Sequence, residues 1–513
     1  MDPNTFTQAQ IEYSALLPMF VIFGAAMVGV LIEAFAPRKA RYAAQLAVTL
    51  IGLVAAFVLL VTVARDHQGV TAGRALVIDG PALMMQGTIL VLSFLAVLVM
   101  AERFTSDGAD AFTQSGASVP GSPQEAQAER LGATTTEVFP LTLFAVAGMM
   151  MFPSTNNLLT MFVALEVLSL PLYIITGLAR RRRLLSQEAA LKYFLLGAFS
   201  SAFFLFGSAM IYGFAGTLDL ASISNAVGTQ SGQDSVLVLG IILIAVGLLF
   251  KVSAVPFHSW TPDVYQGAPT PVSGFMAACT KAAAFGALLR VFYVAFDTMR
   301  WTWQPVMVIV ALLTMVVGAV LSITQTDMKR LLAYSSISHA GFLLLALTAL
   351  DKDSVAGVQF YVATYGAATI TAFAVVALVR KSGVEATHLS EWAGLGRRSP
   401  ILAGVFGFLM LSFAGIPLTS GFTSKFALFA PAVKHGSVWL VVVAVIVSAI
   451  TAFVYVRVIV LMFFSEPAEG VQVAMPSPLT AVAVAAGTAI TLALGVLPGP
   501  LLDIAGHASQ FLR

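Results

Sequence analysis

The sequence predicts an all-α polytopic membrane protein of about 14 transmembrane helices, built around two inverted five-helix repeats that each contain a broken helix. Two observations carry this. Of 513 residues, 58% are hydrophobic and only 10% charged, with a mean hydropathy of +0.91, far more apolar surface than one soluble core needs. Apolar windows of about 20 residues, the length that crosses a bilayer core, also recur from end to end. They fall near 14–36, 42–64, 80–101, 137–153, 156–178, 188–214, 235–256, 270–296, 302–323, 328–350, 354–379, 400–432, 437–464 and 477–501. Runs this long and continuous do not alternate as barrel strands do.

Composition excludes several classes. Formal net charge is +2 with no basic block, so nucleic acid is not an expected partner. The single Cys279 rules out an intrachain disulfide framework or a cysteine-based cluster. The six histidines show no H-x-x-x-H spacing, and no G-x-G-x-x-G or Walker loop is present. The stretch MDPNTFTQAQIEYSALL has no basic n-region, so the first helix reads as retained rather than as a cleaved signal.

Loop charges set the expected orientation. With residues 1–13 outside, inner loops hold 15 basic residues, among them Arg180 to Arg183, and outer loops hold six of the 27. The positive-inside rule then places both termini on the periplasmic side. The other six, Lys192, Lys251, Lys281, Arg290, Lys425 and Arg457, lie within helices. Residues 102–136, rich in Gly, Ser, Ala, Gln and Thr, read as a flexible cytoplasmic loop with little to bury.

The repeat emerges from two interruptions. LLFKVSAVPFHSW (248–260) and LSFAGIPLTSGFTSKFALF (411–429) each run an apolar helix into a proline and set a lysine within the segment. Proline removes a backbone donor and clashes with the preceding turn, and interrupted helices at matching places in two halves mark the ion site of inverted-repeat transporters. Helices 4–8 (137–296) and 9–13 (297–464) form the two units, each with its fourth helix broken. Helices 1–3 (1–101) and helix 14 with the C-terminus (465–513) lie outside them.

Intramembrane charge names the candidate residues. Glu166 in MFVALEVLSLPLYIITGL, Lys251, Lys281 in SGFMAACTKAAAFGALL and Lys425 lie well inside their windows. Each costs about 3 kcal/mol there unless paired, hydrated or neutralised. Lysine suits proton movement because burial and a nearby carboxylate shift it in opposite directions, whereas arginine stays protonated. His258 and His339 titrate near neutrality and extend the candidate relay. Lys192 is a further candidate, although its spacing from Glu188 is that of an ordinary helix-surface ion pair. Glu33, Arg290 and Arg457 read as residues near helix ends that snorkel.

The stretch FKVSAVPFHSWTPDVYQGAPTPVSGFMAACTKAAAFG (250–286), with EAALKYFLLGAFSSAFFLFGSAMIYG, LLAYSSISHAGF and GIPLTSGFTSKF, resembles the signature region of the antiporter-like membrane subunits of respiratory complex I. Among them the chain is most similar to the subunit N branch: subunit M has a glutamate where Lys425 stands, and subunit L continues into a long lateral helix. The resemblance implies that Glu166 pairs with Lys251 on the broken seventh helix, that Lys281 is the central relay lysine and that Lys425 is the terminal one. It implies proton translocation across a bacterial inner membrane, as part of an H+-translocating NADH:quinone oxidoreductase. NADH, FMN, iron–sulfur clusters and quinone would sit on other subunits, so this chain is expected to hold no cofactor and no metal. The implied partners are subunits M and L, small subunits between N and the quinone module, and the lipid bilayer. An Mrp-type cation/proton antiporter subunit and a purely structural membrane anchor are the alternative readings.

Overall fold

The computed structural model describes residues 11–103, 110–116, 118–119, 122–130, 135–229 and 234–512. Among them are eleven helices long and apolar enough to cross a membrane and three shorter apolar ones, Val138–Ser154, Ser235–Lys251 and Pro400–Ala414. Together they account for the fourteen windows. In chain order the membrane helices are Tyr13–Phe35 (helix 1), Arg38–Thr62 (2), Gly80–Met100 (3), Val138–Met151 (4), Leu158–Thr176 (5) and Arg183–Ala215 (6). Helix 7 is split into Asp234–Lys251 (7a) and Trp260–Gly267 (7b). Helix 8 runs Thr270–Ala295, followed by Arg300–Ile323 (9), Met328–Leu347 (10) and Lys352–Leu378 (11). Helix 12 is split into Pro400–Ala414 (12a) and Ser420–Lys434 (12b), before Val438–Phe464 (13) and Pro478–Val496 (14).

Local chemistry starts these helices where the sequence changes. Asp79 caps helix 3 by accepting from Ala82 N at 3.0 Å, and Pro81 occupies the first turn, where a missing N–H costs nothing. Asn157 and Asp327 cap helices 5 and 10 in the same way.

Helix 8 is the axis of the molecule: its whole apolar window is buried, against 94% for helix 11, 89% for helix 10 and 83% for helix 3. Helices 1, 2, 6, 13 and 14 bury only 28–39% and turn apolar side chains outward, as lipid-facing helices do. Close approach between helices rests on small residues. A Cβ on Gly148 of helix 4 would lie 2.4 Å from Leu168 N of helix 5, and one on Gly318 of helix 9 would lie 2.5 Å from Ser338 N of helix 10. Helices 4 and 5, and helices 9 and 10, therefore cross at the same kind of contact.

Among the described residues, five short strands lie outside the membrane helices, although the sequence signalled none. β1 (Gly69–Thr71) and β2 (Leu76–Ile78) form an antiparallel hairpin in the register Val70↔Val77. β3 (Val379–Lys381), β4 (Val384–Glu385) and β5 (Val471–Val473) form a sheet of order β4-β3-β5. The hairpin marks one end of the bundle and the sheet the other. Leu76 bridges Thr155 and Asn157 bridges Asp219 at the hairpin end; Phe112 bridges Ala179 and Asp327 bridges His388 at the sheet end. This is the alternation that fourteen crossings require.

Four expectations need correction. Helix 7b was invisible as an apolar window because WTPDVYQG is polar. The loop 102–136 does bury residues: Phe112 is 2% exposed, and the buried Arg183 donates to Thr113 Oγ1 at 2.7 Å and Ser115 O at 3.0 Å. Helix 6 starts at Arg183 rather than 188 because that arginine finds these partners. Arg290 does not snorkel: it is fully buried and ion-paired to the equally buried Asp79 at 2.6 Å, and removing one partner from such a pair costs about 3–5 kcal/mol. By contrast Glu33 pairs with Arg41 at 2.8 Å, and Arg457 reaches Ile323 O at the end of helix 9 at 3.0 Å, both toward the surface.

Candidate functional site

The first break places Lys251 at the last turn of helix 7a. The interruption leaves backbone groups that need partners. Trp260 Nε1 donates to Phe250 O at 3.0 Å, Val255 N donates to Thr314 Oγ1 at 3.0 Å, and Ser253, with φ +66°, folds back to accept from Thr261 Oγ1 at 2.8 Å. Trp260 stacks on Tyr193 with ring centroids 4.7 Å apart. Lys251 is buried, and its Nζ stands 5.3 Å from the Tyr193 ring and 5.7 Å from the Tyr173 ring. It has no hydrogen-bond partner among the described residues.

Glu166 and Lys251 do not form the direct ion pair that was expected. Tyr173 stands two turns along helix 5 from Glu166, on the same face, and its ring is what that helix brings within cation–π reach of the ammonium. Glu166 is half-buried, with Oε1 lacking a hydrogen-bond partner among the described residues.

The second break is built differently. Gly415 takes φ +83° after helix 12a, and Lys425 reaches back from helix 12b to the open end of helix 12a. Its Nζ donates to Phe413 O at 3.1 Å, Ala414 O at 2.9 Å and Ser448 Oγ at 2.7 Å. A cation on the last carbonyls of a helix satisfies orphan acceptors and matches the negative end of the helix dipole. The two lysines thus lie on opposite halves of their broken helices, one before the interruption and one after it.

Between the breaks lies a row of buried polar groups. Lys281, 2% exposed, follows a π-helical stretch, Met276–Thr280, and donates to Ser336 O and Oγ on helix 10. Its Nζ is 5.5 Å from the Tyr365 ring, which lies 4.6 Å from the ring of His339. His339 Nδ1 is 2.5 Å from Tyr361 Oη and its Nε2 is 3.4 Å from Tyr455 Oη, which in turn is 2.5 Å from Ser335 Oγ. Thr364, three residues beyond Tyr361, bonds Ser424 Oγ at 2.7 Å, and Ser424 adjoins Lys425. Among the described residues no carboxylate pairs with Lys281 or Lys425; hydroxyls, carbonyls and aromatic faces hold them.

Two further candidates fall outside this row. His258 is half-buried beside the exposed Pro256, at the outer edge of the first break. Lys192 belongs to a charge network at the sheet end, 2.7 Å from Glu188 and 2.8 Å from Asp263, which also pairs with Arg330 at 2.7 Å. Among the described residues no three His, Cys, Asp or Glu side chains gather as a metal site requires. Sequence reasoning passed over Ser336, Tyr361, Tyr365 and Tyr455; for Ser336 the signal was there in LLAYSSISHAGF, whose serines and histidine recur through an apolar helix.

Comparison with known proteins decides what this arrangement belongs to. Residues 155–451 match the family model described as NADH:quinone oxidoreductase/Mrp antiporter, TM. The chain is 56% identical over 529 residues to NADH-quinone oxidoreductase subunit N of Rhodococcus opacus, covering 99% of this chain and 98% of that one. The chain belongs to the NADH-quinone oxidoreductase subunit N family. Subunit N of Parafrankia sp. is 57% identical over 510 residues, covering 99% of this chain and 97% of its own length. Among solved structures, a chain of respiratory complex I from Thermus thermophilus with bound aureothin superposes with a TM-score of 0.76 at 34% identity, over 95% of this chain and 99% of that one. A chain of the Mrp complex from Dietzia superposes with a TM-score of 0.79 at 22% identity, over 97% of both chains, and shares the fold. As a member of the subunit N family, the chain is an antiporter-like, proton-translocating membrane subunit of NADH:quinone oxidoreductase.

Proposed function

We propose that protons cross this subunit along Lys251, Lys281, His339 and Lys425, driven by quinone reduction in other subunits. The observation that carries the reading is the unbroken burial of Lys281, Ser336, His339, Tyr361 and Lys425 between the two interrupted helices. Each lysine passes a proton by releasing it to an ordered water or hydroxyl and regaining one from the preceding group; the hydroxyls of Ser336, Tyr361 and Tyr455 hold that water chain in line. Lys251 is the entry group, influenced by Glu166 through the Tyr173 side rather than by contact. Lys425, resting on the carbonyls of helix 12a, is the exit group. Residues 137–296 and 297–464 act as the two inverted halves, each opening at its break toward one membrane surface.

The sheet end, with Arg180 to Arg183, faces the cytoplasm and the hairpin end the periplasm of a bacterial inner membrane. Single cysteines labelled from either side test this: a residue of the 177–182 loop labelled from the periplasm would reverse the assignment. NADH, FMN, iron–sulfur clusters and quinone belong to other subunits, and the half-buried Glu166 faces a neighbouring antiporter-like subunit, with subunits M and L in the same membrane arm. NADH-driven proton uptake in inverted vesicles, compared for wild type and Lys425→Ala at matched assembly, tests the relay; undiminished uptake by the variant contradicts it.

A further inference from the structure

Helix 3 is mostly buried and its neighbour helix 2 mostly exposed, and between them lies an apolar groove of about 200 Å³. Its floor is formed by Leu53, Leu90 and Leu95, all buried, and its rim by Val54, Phe57 and Val91, all exposed. No polar side chain lines it, so nothing there holds water. The volume exceeds the ~150 Å³ of an engineered apolar cavity that takes up benzene, and several methylenes fit. The two walls stand at one depth. Tyr42 Oη donates to Ala101 O at 2.7 Å, and Leu53 follows Tyr42 by as many residues as Leu90 precedes Ala101.

Toward the sheet end, the same face of helix 2 carries charge. Lys39 precedes Phe57 by about five helical turns, so the lysine stands in line with the groove. From Lys39 to Val54 the helix rises ~22 Å, which matches the depth from headgroup level to the centre of a bilayer ~40–45 Å thick overall. Arg38 and Lys39 are exposed, and among the described residues no ion pair or side-chain hydrogen bond engages either. Arg103 lies over the Tyr42 ring at 3.4 Å, and its Nε is buried without a hydrogen-bond partner among the described residues. The acids of this corner do not match Arg38 and Lys39. Glu33 pairs with Arg41 at 2.8 Å, and Glu102 accepts from Ser477 N at 3.0 Å and Ser477 Oγ at 2.9 Å. Asp110 shares the corner with Tyr42 and Arg103.

We infer that the groove between helices 2 and 3 holds an acyl chain of an anionic phospholipid from the leaflet at the sheet end, with its phosphate on Lys39 and Arg38. The two parts of the site fit the two parts of one molecule. The groove takes the end of the chain, and the unmatched cations one leaflet depth away take the phosphate, as basic residues at a membrane surface attract anionic headgroups. The flexible stem of Lys39 lets its ammonium reach headgroup level while its methylenes stay on the helix. A zwitterionic lipid fills the groove equally well but brings its own cation, so the headgroup charge is what the site selects. The bound chain completes the packing between an outer helix and a buried one, and the inference is independent of the lysine relay.

The test uses the purified whole complex and two photoreactive lipids, phosphatidylglycerol and phosphatidylcholine, each with the same diazirine near the end of one acyl chain. After irradiation the adducts on this subunit are mapped by peptide mass spectrometry. The expected result is labelling of residues 53–57 and 90–95, several-fold stronger with phosphatidylglycerol. Arg38→Gln combined with Lys39→Gln, on an exposed surface, should keep the labelling and abolish the preference between the two lipids. Val91→Trp, which fills the groove, should abolish labelling by both in complexes that retain NADH:quinone reductase activity. Equal labelling of wild type by the two lipids overturns the inference and leaves the groove to ordinary boundary lipid. Absence of adducts at the groove overturns it as well, and cross-links from there to a neighbouring subunit would name a protein helix as the occupant.

Discussion

Nδ1 of His339 lies 2.5 Å from the hydroxyl oxygen of Tyr361, at the centre of the membrane domain, and the same imidazole is within 3.4 Å of Tyr455 through its other nitrogen. A neutral imidazole donates with one nitrogen and accepts with the other, so these two contacts let His339 take a proton on one side and release it on the other. His339→Phe keeps the ring against Tyr365 but removes both nitrogens. Proton uptake is expected to fall by about 10²-fold, the low end for a positioned proton-transfer group. Tyr361→Phe, which removes one contact only, should be milder. Uptake by His339→Phe equal to wild type would take the imidazole out of the path.

Gly415 sits where the second break turns and where Lys425 returns. Its φ is +83°, and a Cβ there would come 3.0 Å from the Lys425 ammonium. Gly415→Ala is expected to lose about 1–3 kcal/mol from backbone strain and to displace Lys425 from the carbonyls of Phe413 and Ala414. The variant should show both a lower thermal midpoint and slower proton uptake. Slower uptake without any loss of stability would place the effect elsewhere.

If Glu166 acts on Lys251 as proposed, without touching it, the sign of the charge should matter more than its reach. Glu166→Asp is expected to keep most of the pumping, and Glu166→Gln and Glu166→Ala to lose it alike. Proton uptake in vesicles at matched assembly separates these cases. Equal activity of all three with wild type would remove the carboxylate from the mechanism.

The windows, the two breaks and the four intramembrane charges were legible because a bilayer makes apolar length and intramembrane charge conspicuous. Lys281 and Lys425 stand out as cations in runs of Ala, Phe and Gly. What was not legible depended on partners distant in sequence. Arg290 looked like a snorkelling residue until Asp79, 211 residues earlier, was seen beside it. Tyr361, Tyr365 and Tyr455 read as ordinary aromatic residues of apolar helices, and only the packing of helices 10, 11 and 13 turns their hydroxyls and faces toward His339. Helix 7b was hidden because its residues are polar, although Trp260 and Tyr265 bury it.

The central claim is that Lys281 moves a proton rather than merely holding helices 8 and 10 together through Ser336. Lys281→Arg separates the two roles, since a guanidinium preserves charge and donors but does not release a proton at physiological pH. The measurement is NADH-driven proton uptake in inverted membrane vesicles, with assembly and quinone reductase content matched to wild type and Lys281→Ala as the reference. Assembly should be retained while uptake by Lys281→Arg falls to the level of the alanine variant. Full pumping by the arginine variant would contradict the relay.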